Sequence, residues 1–116
     1  MTKHPIALPL PDSRLSPNAR KSWHVTAPLK KSHRTRAKLE ASYTSGLKFS
    51  GYQLHFYYPF KRVRDKDNAG ATCKSYMDGI SDACGQDDSE WEHNGIRFHT
   101  DKENPRVEIV MEEVEE

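Results

Sequence analysis

No stretch of this chain of 116 residues approaches the run of about 20 apolar residues that a membrane-spanning helix needs. The opening Met1-Thr2-Lys3-His4-Pro5 has no apolar segment of the kind that directs secretion. A cytoplasmic protein is therefore expected, neither secreted nor held in a membrane. Cysteine is scarce too, with only Cys73 and Cys84. On one helix they would share a face about 16 Å apart at ~1.5 Å per residue, beyond the ~7 Å Cα separation a disulfide tolerates. They read as reduced, partly buried thiols. The lack of a Cys-x-x-Cys pair or a Cys/His cluster leaves no zinc motif. Apolar residues make up 34% of the chain against 30% charged, with a mean hydropathy of −0.92, so the core is lean. The length fits one domain over 1–116, without internal repeat or linker.

What is abundant is charge, and it is unevenly placed. The net formal charge is only +1, yet residues 1–64 carry 13 of the 18 Lys and Arg and just Asp12 and Glu40 as acids, a balance of +11. Residues 65–116 carry 15 acids against five bases, a balance of −10. A split this sharp points to a basic half that meets a polyanion. Charge balancing within one fold is the plainer explanation, and composition does not separate the two.

Along the chain, Ile6, Leu8 and Leu10 alternate as a first strand, with Pro9 and Pro11 marking an edge strand or a strand end. Residues 11–26 read as a structured loop. A helix is predicted over 27–44, capped by Thr26, with Pro28 in its first turn, Gly46 past its end and a weak apolar side of Leu29, Leu39, Ala41 and Tyr43. Lys30, Arg34 and Lys38 recur at i, i+4, i+8, and Glu40 is the one acid of the segment. A merely solvating face normally mixes signs, so this stripe favours polyanion contact. Tyr52, Leu54, Phe56 and Tyr58 alternate as a second strand, their side chains read as core. A second helix is predicted over about 69–84, its stripe Cys73, Met77, Ile80 and Cys84, with Gly85 as C-cap. Strands follow at 95–99 and 106–111, with Asn94-Gly95 and Asn104-Pro105 as turns and 112–116 as a frayed acidic tail. The order β-α-β-α-β-β makes an α/β (α+β) domain with one mixed sheet of about four strands and two main helices.

Asp65-Lys66-Asp67-Asn68 is the most informative stretch. If extended, positions i and i+2 point the same way and both carboxylates converge beside the next helix. Two such anions repel unless a cation lies between them, and oxygen ligands suit Mg²⁺ or Mn²⁺. The ordinary alternative is a helix N-cap. Asp87-Asp88 follows the second helix and Lys74 lies within it, one turn before Asp78. A lysine beside a metal stabilises charge developing on a phosphoryl group or steers an attacking water. The ordinary alternatives are an i,i+4 pair with Asp78 and a polar turn.

At this point the chain resembles the RusA-like Holliday-junction resolvases, found mostly in phages and prophages, from Leu8 to Met111. The resemblance lies in LPLPDSRLSPNARKSW, RDKDN, Lys74 with SYMDGI, and the DDS turn, in that order and spacing. It implies metal-binding Asp65, Asp67 and Asp88, with Asp87 as the register alternative, and a catalytic Lys74. It further implies a homodimer that cuts four-way DNA junctions symmetrically with Mg²⁺, Mn²⁺ as a substitute and no organic cofactor. Ala69-Gly70-Ala71-Thr72 departs from the leucine-rich helix start usual in that family. Arg20, Lys30, Lys31, Arg34, Lys38, Lys61, Arg62 and Arg64 are the expected phosphate contacts.

Two rivals stand beside this reading. One is a non-catalytic DNA-binding module whose acids serve as caps and solubilisers. The other is a flap- or fork-specific nuclease on the same fold. The segment Glu92-His93-Asn94-Gly95 is better explained as a turn than as an HNH nuclease fragment, and His24, His33, His55 and His99 lack ligand spacing. Trp23 packs on the core in the common case and stacks on an unpaired base in the rarer one.

Overall fold

The computed structural model describes residues 2–62 and 64–114. Four strands form one mixed sheet in the order β1-β4-β2-β3, where β1 is Lys3–Leu8, β2 Phe49–Tyr58, β3 Glu92–Thr100 and β4 Arg106–Glu113. Only β2 and β3 run parallel; β4 pairs antiparallel with both β1 and β2. The domain is α+β, as the element order predicts. Alternation sets the faces of each strand. Ile6 and Leu8, Leu54 and Phe56, and Val107, Ile109 and Met111 all turn to one face, where they are almost fully buried.

Three helices complete the fold: α1 (Trp23–Glu40), α2 (Lys66–Ala71) and α3 (Lys74–Cys84). The expected stripe of α3 holds, since Cys73, Met77, Ile80 and Cys84 are all buried. Both cysteines are free thiols. Gly85 ends α3 in the left-handed conformation at φ 83°, with its N–H donating to the carbonyl of Ser81. Helix α1 crosses α3 at Gly79, where a Cβ would overlap the Arg34 carbonyl and the Ala37 methyl. Glycine is needed there for close approach, with no demand on φ. Among the described residues no helix is long and apolar enough to cross a membrane.

Several expected boundaries move. The first strand ends at Leu8, before Pro9, and Leu10 lies beyond it. Helix α1 starts at Trp23 after Ser22, so Thr26 is inside it and Pro28 falls in its second turn. It ends at Glu40, and 42–44 form a separate 3₁₀ turn. Its inner stripe is Thr26, Leu29, His33 and Ala37, continued by the buried Ala41, whereas Leu39 (67% exposed) and Tyr43 (58%) face water. Helical spacing selects the inner side, and the tight crossing at Gly79 admits only small residues there.

The helix expected over 69–84 is two helices, broken at Thr72 and Cys73. The β3 strand is longer than 95–99, and Asn94-Gly95 is inside it. Tyr52 pairs with His93 and Leu54 with Ile96, so β3 carries an extra residue there, a bulge that uses Gly95 at φ 130°. The acidic end is not all frayed. Glu112 and Glu113 belong to β4; Glu112 is buried and accepts from Asn94 Nδ2 at 2.6 Å, and Glu113 pairs with His4 at 3.1 Å. Glu115 and Glu116 lie outside the described residues.

The 11–22 segment is structured, as expected. Asp12 and Ser16 cap two successive 3₁₀ turns. His33 ties the segment to α1: its Nδ1 donates to the Leu29 carbonyl at 2.8 Å, and its Nε2 accepts from the Asp12 N–H at 3.1 Å. Tyr76 of α3 stacks on that ring and donates its hydroxyl to the Pro9 carbonyl at 2.8 Å.

Candidate active site

Asp65 is the N-cap of α2. Its Oδ1 accepts from the backbone N–H of Asp67 at 2.9 Å and of Asn68 at 3.2 Å. Lys66 and Asp67 are therefore already helical, and the extended geometry that would align Asp65 with Asp67 does not form. On a helix, positions two apart diverge by about 200° at 3.6 residues per turn. The two carboxylates accordingly line different hollows. Asp67 lines one of about 490 Å³; Asp65 lines another of about 330 Å³ with Ser13, Ser16, Asn68, Arg62 and Arg64.

The larger hollow gathers Asp67 and Lys66 from α2, Lys74 from the start of α3, and Asp88 from the turn after α3. Lys74 Nζ donates to Asp88 Oδ2 at 2.8 Å and to Asp78 Oδ1 at 2.9 Å. Those two hydrogen bonds, that with Asp88 foremost, raise the Lys74 pKa and hold the ammonium charged. The i,i+4 pair with Asp78 is thus present, and the longer-range contact to Asp88 joins it. Asp87 instead caps the turn through the N–H of Ser89 at 2.9 Å, which lowers its pKa. Of the two register alternatives, Asp88 is the one that faces the hollow.

His93, read from sequence as part of a turn, lies in β3 and lines this hollow, as does Trp91, which sequence reasoning passed over. The bulge in β3 lets His93 and Ile96 share the inner face despite odd spacing. His93 stacks on Tyr52 with centroids 5.0 Å apart and 10° between planes. Strict alternation carried through Asn94-Gly95 hides this, and only the bulge reveals it. Trp91 is 8% exposed, and its buried Nε1 has no hydrogen-bond acceptor among the described residues. Burial raises the Tyr52 phenol pKa, so this hydroxyl stays protonated.

Two carboxylates on one hollow meet the needs of Mg²⁺, which takes one or two and keeps several waters. Among the described residues no group of three His, Cys, Asp or Glu is close enough to hold an ion. Of the three carboxylates expected to bind Mg²⁺, Asp67 and Asp88 share this hollow, and Asp65 lines a different one.

The basic residues fall into four groups. Lys30 lines a hollow shared with Lys74 at the start of α3. Arg34 is spent on Asp82, with Nε to Oδ2 at 2.6 Å and Nη2 to Oδ1 at 2.8 Å, a pair that lowers the Asp82 pKa and binds α1 to α3. Arg20, Lys31 and Lys38 are exposed. Lys61, Arg62 and Arg64 cluster beyond the end of β2, where the Arg64 guanidinium lies 3.4 Å over the Tyr58 ring.

No protein-family model matches the chain. It is similar to an uncharacterized protein of Xylella fastidiosa (strain Temecula1 / ATCC 700964), 38% identical over 90 residues, which cover 72% of this chain and 59% of that protein. The chain therefore spans less than two thirds of that relative's length.

Proposed function

We propose that this chain is a metal-dependent endonuclease of branched DNA, a RusA-like junction resolvase working as a homodimer. The observation that carries the reading is the meeting of Asp67, Lys74 and Asp88 on one open hollow, in a domain whose first 64 residues have a balance of +11. The four-way junction as substrate rests on the resemblance in RDKDN, Lys74 with SYMDGI, and DDS. A two-fold dimer is the economical match for a junction with approximate two-fold symmetry.

In this reading Asp67 and Asp88 hold Mg²⁺, which when bound supplies a Lewis acid and a lowered water pKa. Lys74 keeps Asp88 in place and sets a fixed positive charge beside the phosphate, where transition-state charge develops. Lys66 adds a second cation to the same wall. Lys30, Lys31, Lys38, Lys61, Arg62 and Arg64 hold phosphates without reading bases, so binding weakens steeply with salt.

The test is cleavage of a labelled four-way junction beside a linear duplex and a flap, with Mg²⁺ or EDTA, by the wild type and Asp67→Asn. Paired, metal-dependent nicks in the junction, slowed at least about 10³-fold in the variant, support the reading. Cutting confined to the flap reassigns the enzyme to flap or fork substrates.

A second reading, a non-catalytic DNA-binding module, is favoured by Asp65 acting as a cap and by the ion pairs that occupy Lys74. It expects the junction to be bound and never cut in Mg²⁺ or Mn²⁺. It also expects Asp67→Asn to bind as well as the wild type or better.

A further inference from the structure

The parallel strands β2 and β3 end side by side at Tyr58 and Thr100. Just beyond them lies a hollow of about 340 Å³ that shares no lining residue with the Asp67 hollow. Tyr58, Phe60, Phe98 and the His99 imidazole are its rings, and Lys61, Arg62 and Arg64 its cations. Among the described residues no carboxylate lines it. Phe60 is 56% exposed, and the guanidinium carbons of Arg62 and Arg64 each stand 5.9 Å from its ring centre.

We propose that this hollow binds an unpaired nucleotide of DNA, its base stacked on Phe60 and its phosphate on Lys61 and Arg62. The inference rests on the DNA reading above and narrows it to DNA with an unstacked base near the cut. A base has an aromatic face on both sides, and stacking on a ring or a guanidinium binds it whatever its identity. A duplex hides those faces, so it engages the cations and leaves Phe60 idle. The volume falls in the range of small-ligand pockets, about 300–1,000 Å³. From Leu54, which lines the Asp67 hollow, to Tyr58 is about 13 Å of strand at ~3.3 Å per residue, so a few nucleotides bridge the two hollows.

The test is fluorescence anisotropy with three labelled DNAs: a duplex, the same duplex with one bulged nucleotide, and the same bulge made abasic. The wild type, Phe60→Ala and Arg62→Gln are compared, with matched thermal midpoints as the folding control, and free dAMP is added as competitor. The bulged DNA is expected to bind the wild type about tenfold tighter than the duplex. Phe60→Ala and the abasic bulge each remove that factor, and combining them removes nothing more. Arg62→Gln weakens all three DNAs. A preference for the bulge that survives Phe60→Ala, or that the abasic site retains, overturns the proposal while the DNA reading stands. Competition by dAMP as strong as by the bulged oligonucleotide also overturns it and reassigns the hollow to free nucleotides. Failure to bind any DNA overturns the underlying reading itself.

Discussion

Helix α1 is 18 residues long and buries only Ala37, whereas α3 has 11 residues and buries six of them. The shorter helix belongs to the core. The longer is a basic outer element held by one tight crossing, one ion pair between Arg34 and Asp82, and the His33 ring against Tyr76. Helix length thus says little about contribution to stability; the width of the apolar stripe says more. The arrangement also divides the proposed labour. Lys74 stands at the start of the buried helix, and several of the lysines proposed to contact phosphates stand on the exposed one.

That contrast is open to direct tests. The largest effect on stability is expected from Ile80→Ala, at a fully buried position of α3, which should cost about 2–5 kcal/mol in chemical denaturation. A cost under about 1 kcal/mol would put the core elsewhere. Gly79→Ala comes next at about 1–3 kcal/mol, because the two helices must separate to admit the methyl. A neutral outcome would show that α1 rides loosely on α3. By contrast, Lys30, Lys31 and Lys38 changed together to Gln should alter stability by less than about 0.5 kcal/mol. The same change should flatten the dependence of DNA binding on salt by about one log–log unit for each phosphate that the helix ceases to neutralise. An unchanged salt slope would remove α1 from the DNA surface.

A modest effect is expected at the Asp12–Arg14 pair that caps the segment before α1. The Arg14 side chain and N–H hold the Asp12 carboxyl at about 2, below its ordinary 3.8. A carboxyl pKa lowered by folding adds stability above about pH 4, lost as pH falls from there toward 2. Asp12→Asn should therefore cost less than about 1 kcal/mol at pH 7, and the gap to the wild type should close over that window. A gap constant with pH would show that the carboxylate charge contributes nothing.

The thiols extend the contrast into α3. Cys73 is fully buried, and burial pushes its pKa up to about 12. It should resist iodoacetamide at about pH 8, where a free thiol is well on the way to thiolate, until the protein is unfolded. Prompt alkylation in the native state, followed by mass spectrometry, would contradict the packing of α3.

Much of the fold was legible because its signals are local. Alternation in β2 and β4, the i, i+3, i+4 stripe of α3 and the glycine at its end each depend on a few neighbouring residues. The edge position of β1 was legible from the prolines that stop it. The start of α1 was not, because Ser22 caps without a side-chain hydrogen bond and Pro28, a usual first-turn marker, lies in the second turn. Nor were Leu39 and Tyr43 legible as exposed, since composition marks them apolar while the approach of Gly79 decides which side of α1 is buried.

In the candidate site, the residue types were read from sequence and their grouping came from the fold. The Asp-x-Asp spacing is compatible with a convergent pair or with a helix cap, and the backbone chooses the cap by starting α2 at Lys66. Asp88 over Asp87, and Lys74 between Asp78 and Asp88, follow from where the turn after α3 folds back. His93 enters through a bulge that no alternation rule contains. By itself the sequence determined the alternation of β2 and β4, the core stripe of α3 and the division of charge, because each is a property of residues close in the chain. Only the tertiary structure decided which carboxylates share a hollow, because that depends on segments that meet through packing and not through spacing.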